Sequence, residues 1–81
     1  MQDFTTRIFI EEGFHAKFVF NGIYTVNAVR YHVSVTDING QTYAFNMEEK
    51  NGKWTIIYGP KVPDWIVTLE NKLEEAILKN G

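Results

Sequence analysis

The chain has 81 residues, carries 8 basic against 10 acidic side chains for a net charge of −2, and contains no cysteine. That length sets one domain with a small core, and the missing thiols exclude a disulfide framework, a zinc ribbon and a cysteine nucleophile. The Lys and Arg residues stand singly from Arg7 to Lys79, without the concentrated basic footprint that nucleic acid requires.

What the chain has instead is aromatic surface. Six Phe, four Tyr and two Trp make up 15% of the residues, the composition of a chain that packs. The opening "MQDFTTRIFIEEGF" lacks the charged and apolar blocks of a secretory leader. No apolar run approaches the ~18–20 residues that span a bilayer. A soluble, cytoplasmic protein with no membrane contact is the expectation.

The apolar pattern divides the chain by period. Strands are predicted over about 4–58 and a helix over about 63–79, in one domain covering 1–81. In "FTTRIFI", Phe4, Thr6, Ile8 and Ile10 share a face, opposite Thr5, Arg7 and Phe9. "EEG" reads as a turn at Gly13. In "FHAKFVF", Phe14, Ala16, Phe18 and Phe20 lie opposite His15, Lys17 and Val19, the alternation of a half-buried strand.

Asn21-Gly22 then reads as a hairpin turn, because a type I′ turn needs positive φ at both central residues. The segment 23–29 fits either a strand or a crossing loop. "RYHVSVTDI" sets Tyr31, Val33 and Val35 on one side and His32, Ser34 and Thr36 on the other. Asn39-Gly40 reads as a type I′ turn before "QTYAFNMEE", with Tyr43, Phe45 and Met47 inward. Asn51-Gly52 reads as another before "KWTIIY", with Trp54, Ile56 and Tyr58 together. These last three strands form a meander.

In "VPDWIVTLENKLEEAILKNG" the period becomes helical. Pro63 suits the first helical position, where a missing N–H costs nothing, and Lys79 suits the last turn. Ile66, Leu69, Leu73, Ala76 and Ile77 form the apolar stripe, with Trp65 at its margin. Glu70, Asn71, Lys72, Glu74 and Glu75 form the wet side. The predicted class is α+β: an antiparallel meander of four to five strands with a single C-terminal helix across one face.

Five strands at ~4.8 Å spacing give a sheet roughly 20 Å wide, whereas one helix is ~10 Å across. Either the sheet curls around the helix, or part of its apolar face is left for a partner. A second copy of the chain, an unknown protein partner, and an apolar or aromatic small molecule in a groove between sheet and helix are the expected occupants. Trp54, Trp65, Tyr43, Tyr58 and Tyr31 are the candidate residues of such a surface, with the two Trp rings close together at one end of the sheet.

Catalytic chemistry finds little support. Asp37, Asn39 and Glu48 can be laid on positions one, three and twelve of a Ca²⁺ loop, but position five is Gln41, and Thr42 stands where the loop needs glycine. His15 and His32 point to the outer face of the sheet. Ser34 lies roughly 6–7 Å along the strand from His32, too far for a nucleophile–base bond. Glu11-Glu12 and Glu48-Glu49 are sequence neighbours, which on a strand face opposite ways, and Glu74-Glu75 reads as the solvated exterior of the helix. No metal, cofactor or catalytic set is predicted. The expected role is that of a non-catalytic domain acting by protein contact or self-association.

Overall fold

Five strands follow one another in space as they do in sequence, in a single antiparallel sheet. They are β1 (Phe4–Glu11), β2 (Phe14–Tyr24), β3 (Val29–Thr36), β4 (Thr42–Lys50) and β5 (Lys53–Ile57), followed by α1 (Asp64–Val67) and α2 (Glu70–Asn80). The computed structural model describes residues 2–11 (of Glu11, the backbone), 14–24, 26, 28–57 and 62–81. The predicted turn at Gly13 and the predicted inward side chain of Tyr58 lie outside these residues.

The inner face carries the predicted side chains. Phe18, Phe20, Tyr31, Val33, Val35, Phe45, Met47, Trp54 and Ile56 are all buried there. The register explains why they meet, since antiparallel pairing sets same-face residues side by side: Phe20 faces Val33 and Val33 faces Phe45. Tyr31 sits at the centre of the aromatic packing, 5.6 Å from the Phe4 ring, 5.9 Å from Phe20 and 5.5 Å from Trp54. Ile66, Leu69, Leu73 and Ile77 close the core from the helical side, as their 3–4 spacing dictates. Each fully buried Leu or Ile of this set contributes about 1.5–3 kcal/mol of apolar transfer.

The part of the predicted apolar face that lies among the described residues is buried or half-buried within the fold. Among the described residues, Phe4, Ile10 and Tyr43 are half-buried against the core's margin. The exposed large hydrophobics lie outside it. Phe9 is on the outer face, Ile38 in the β3–β4 connection, and Leu78 on the open side of α2. Tyr24, Val26 and Val29 stand at the far end of the β2–β3 pair.

Several local expectations are corrected. Asn21-Gly22 is no turn: β2 runs through it to Tyr24, with Asn21 opposite His32 and Gly22 opposite Tyr31. β3 extends to Val29 and offers pairing partners that outweigh the local turn preference. Where β1 has ended, the Asp3 carboxylate takes the Gly22 N–H at 2.8 Å in place of a strand partner. The Asn39-Gly40 connection is not type I′ either, since only Gly40 has positive φ, at 83°. The Gly40 N–H donates to the Asp37 carbonyl at 3.0 Å and the Asp37 N–H to the Gln41 carbonyl at 2.9 Å. That closes a three-residue loop with its glycine in the left-handed region. Asn51-Gly52 does form the expected two-residue turn, with φ of 54° and 80°.

The helix differs in two ways. Pro63 is the N-cap rather than the first helical residue: its ψ of 154° is extended, and its carbonyl accepts the Ile66 N–H at 3.0 Å. The helical segment is also divided. The Thr68 hydroxyl donates back to the Trp65 carbonyl at 2.9 Å, and the Leu69 N–H donates to the Ile66 carbonyl at 2.9 Å. This tighter turn lets α1 and α2 bury Ile66, Leu69 and Leu73 together.

Candidate functional site

A sheet has two edges, and here they are β1 and β5. In an antiparallel strand, alternate residues turn both N–H and C=O toward the same side. On β5 the outward residues are Trp54 and Ile56. Their N–H groups donate to side chains of α2: Trp54 to Glu74 Oε2 at 2.8 Å and Ile56 to Glu70 Oε2 at 3.0 Å. Lys53 Nζ lies 3.6 Å from Glu74 Oε1 and balances that carboxylate. Glu70 and Glu74, predicted on the wet side of the helix, are half-buried acceptors that seal this edge. They are four residues apart, so they stand one turn above the other on one flank, and the helix axis carries them along β5.

At the other edge, the outward residues of β1 are Thr5, Arg7 and Phe9, whose side chains also reach the outer face. The Phe9 carbonyl accepts a hydrogen bond from Lys72 Nζ at 3.2 Å. Among the described residues, the outward backbone groups of Thr5 and Arg7 have no partner. The strand regularity ends beyond Phe9, where the register shifts at a bulge between Phe9 and Glu11. Lysines and bulges both blunt sheet edges, and here they blunt one end of β1 and leave the middle open.

A groove of about 410 Å³ runs between this edge and α2. Its apolar floor includes Ile8 and Ala76. Among the described residues, Lys72 and Lys79 bring positive charge to its walls against the carboxylate of Glu75, and Arg7 borders it with its guanidinium turned to the outer face. On the outer side Phe9 is 68% exposed and meets His15 edge-on, with ring centroids 5.8 Å apart. The Arg7 guanidinium donates to His15 Nδ1 at 3.2 Å, which fixes that imidazole nitrogen as an acceptor.

The predicted surface aromatics divide differently. Tyr31 and Trp54 are buried in the core, Tyr31 completely and Trp54 with 4% exposure, too little for a contact surface. Tyr43 and Trp65 are half-buried and pack edge to face at 5.8 Å. Tyr58 lies outside the described residues. The two Trp rings are not neighbours: Trp54 pairs opposite Glu49 and packs on Tyr31, whereas Trp65 packs on Tyr43. Six residues of β4 separate those positions, roughly 20 Å along the strand. Near Trp65, Ile10, Phe14, Ala16 and Ile38 border a cavity of about 220 Å³, smaller than the ~300–1,000 Å³ usual for ligand sites.

The tyrosine hydroxyls are perturbed by their places. Burial raises Tyr31 above the ordinary 10.0, with the charges of Tyr24 and Asp3 adding to it; its hydroxyl donates to the Gln2 carbonyl at 2.9 Å. Tyr43 is also raised, first by burial and then by the Asp37 carboxylate, which its hydroxyl reaches at 3.4 Å.

The other polar candidates are held in structural contacts. Asp37 Oδ1 accepts the N–H groups of Asn39 and Gln41, each at 2.9 Å. Glu48 binds Arg30 at 3.2 Å. The Ca²⁺-loop residues are thus committed to a turn and an ion pair. His32 Nδ1 contacts Asn46 Oδ1 at 3.1 Å. His32 faces Asn21, six residues along β2 from His15, or roughly 20 Å. Among the described residues, no three of His, Asp and Glu come together to hold a metal ion. No helix among them is long and apolar enough to cross a membrane.

Sequence periodicity missed Glu70, Glu74 and Lys72 as edge residues, because it gives a helix face but not the strand that the face flanks. Phe9 was legible as an anomaly: a large apolar side chain on the polar side of its strand. Comparison with known protein families, characterised proteins and solved structures finds no match to this chain.

Proposed function

We propose that the protein is a non-catalytic interaction domain that receives an extended polypeptide segment along β1. The observation that carries this reading is the contrast between the two edges. Glu70 and Glu74 occupy the outward N–H groups of β5, while Thr5 and Arg7 of β1 keep theirs available beside an open groove. Addition of a strand to such an edge is a recurring mode of peptide recognition, with main-chain bonds giving affinity and alternate side chains giving specificity. Exposed Phe9, at the end of the open stretch, supplies an aromatic contact of the kind enriched in interfaces.

Site-specific photocrosslinking in cells tests this reading without assuming a partner. A photoreactive phenylalanine analogue at Phe9 is expected to give a discrete adduct, and the same analogue at Thr55, near the sealed edge, is not. Equal yields from both positions, or none from Phe9, count against it.

A small apolar ligand in the cavity beside Trp65 is the second reading, favoured by the apolar lining from Ile10 to Ile38. It ranks below the first because the space is small. Thermal-shift screening with fatty acids and aromatic metabolites tests it, and no stabilisation by any of them sets it aside.

A further inference from the structure

Resting on the reading of β1 as a receiving edge, we infer that the segment it takes is acidic and comes from another protein, rather than from a second copy of this chain. Among the described residues that line it, the groove sets two ammonium groups, Lys72 and Lys79, against one carboxylate, Glu75, and Arg7 adds a third cation from the outer face of the strand. An added strand points alternate side chains to opposite faces. Those on the inner side meet the flank of α2, and those on the outer side meet Arg7 and Phe9.

Lys72 and Lys79 are seven residues apart, or about 10.5 Å along the helix. Inward side chains two to four residues apart on a strand are separated by about 7–13 Å. Two inward carboxylates therefore fall within reach of both flexible ammonium groups. A carboxylate on the outer side falls beside the Arg7 guanidinium.

Lys72 gives the site its exchange step. In the free protein its ammonium holds the Phe9 carbonyl at 3.2 Å. An incoming backbone N–H takes over that carbonyl, and the ammonium turns to a carboxylate of the incoming chain. No buried group is left unpaired in either state, and a neutral or basic segment offers the displaced ammonium nothing in return.

A second copy fits less well. Antiparallel pairing of β1 with another β1 places both helices on the same side of the joined sheet, with the two grooves facing each other. Lys72 and Lys79 of each copy then confront those of the other, and like charges brought together across an interface oppose association. The one register that sets Arg7 opposite Asp3 of the other copy takes Asp3 from Gly22, whose N–H it holds at 2.8 Å.

The test uses two blocked eight-residue peptides, one alternating Thr and Glu and one alternating Thr and Lys, titrated into the ¹⁵N-labelled protein. The Thr/Glu peptide is expected to shift the Thr5 and Arg7 amide signals and slow their exchange with solvent. The Thr/Lys peptide is expected to leave them unmoved. Because exposed ion pairs each contribute modestly, the Lys72→Gln, Lys79→Gln double variant is expected to weaken binding by about fivefold, and added salt to weaken it further.

Equal binding of the two peptides, or of neither, overturns the acidic-segment inference. So do Thr5 and Arg7 shifts that grow with protein concentration alone, which identify a second copy as the occupant. A Phe9 adduct to another protein combined with charge-independent peptide binding removes this inference and leaves the interaction reading standing. Loss of the Phe9 adduct removes the reading itself.

Discussion

Glu74 on α2 accepts the outward N–H of Trp54 on β5 at 2.8 Å, and so joins helix to sheet through the backbone as well as through the core. Glu70 repeats the contact one turn earlier, on Ile56, at 3.0 Å. A strand edge that would otherwise solvate its donors or recruit another chain is closed from within. Glu74→Ala and Glu70→Ala are each expected to destabilise the fold by about 1–2 kcal/mol, the range of a hydrogen bond to a charged group with some screening at a half-exposed site. Urea denaturation measures the loss. The double variant is also expected to self-associate as β5 opens, which sedimentation detects.

Leu73 is fully buried in the core, whereas Leu78, on the same helix, is 65% exposed. Leu73→Ala is expected to cost about 2–5 kcal/mol, a large part of the stability of so small a domain. Leu78→Ala is expected to change it by less than about 0.5 kcal/mol. Comparable midpoint shifts for the two would mean that α2 is rotated from the orientation described.

The turns offer a finer contrast. Asn51 has a φ of 54° and Asn39 is not in the positive-φ region. Asn51→Ala is expected to cost roughly 1 kcal/mol, the penalty for a Cβ in the left-handed region, and Asn51→Gly to be tolerated. Asn39→Ala is expected to cost less, while Gly40→Ala pays the left-handed penalty in its place. Thermal denaturation of the four variants checks the order.

Alkaline pH acts through the tyrosines. Burial raises Tyr31 above the ordinary 10.0, so the folded state holds the phenolic proton more tightly than the unfolded chain does. The stability linked to this group is complete below the unfolded value and is lost as pH rises from there through the folded value. Tyr31→Phe is expected to lower stability at neutral pH by about 1 kcal/mol, through the lost bond to the Gln2 carbonyl. The same variant is expected to lose less than the parent between pH 8 and 11, measured as the shift in urea midpoint.

Much of this fold was legible in the residues, and the exceptions have common causes. Alternation placed Tyr31, Val33, Val35, Phe45 and Met47 on one buried face, because a period of two admits only two faces and one was apolar. The same dipeptide, Asn-Gly, formed a tight turn at 51–52 and a continuous strand at 21–22. A dipeptide states what the backbone tolerates, and the partner strand decides what it does. The helix stripe from Ile66 to Ile77 was legible for the same periodic reason. That Glu70 and Glu74 flank β5, while Lys72 reaches β1, depends on how the helix crosses the sheet, which no local pattern encodes. Alternation put Tyr31 and Trp54 on the apolar face but left open whether the helix covers them there, and only the packing of strands and helix showed both at the centre of the core.

Amide hydrogen exchange, residue by residue on the free protein, tests the difference between the two edges most directly. Thr5 and Arg7 are expected to exchange at rates near those of unprotected amides, while Trp54 and Ile56 are protected by their carboxylate partners. Protection at Thr5 and Arg7 equal to that of the central strands, or rapid exchange at Trp54 and Ile56, would contradict an open β1 edge opposite a sealed β5.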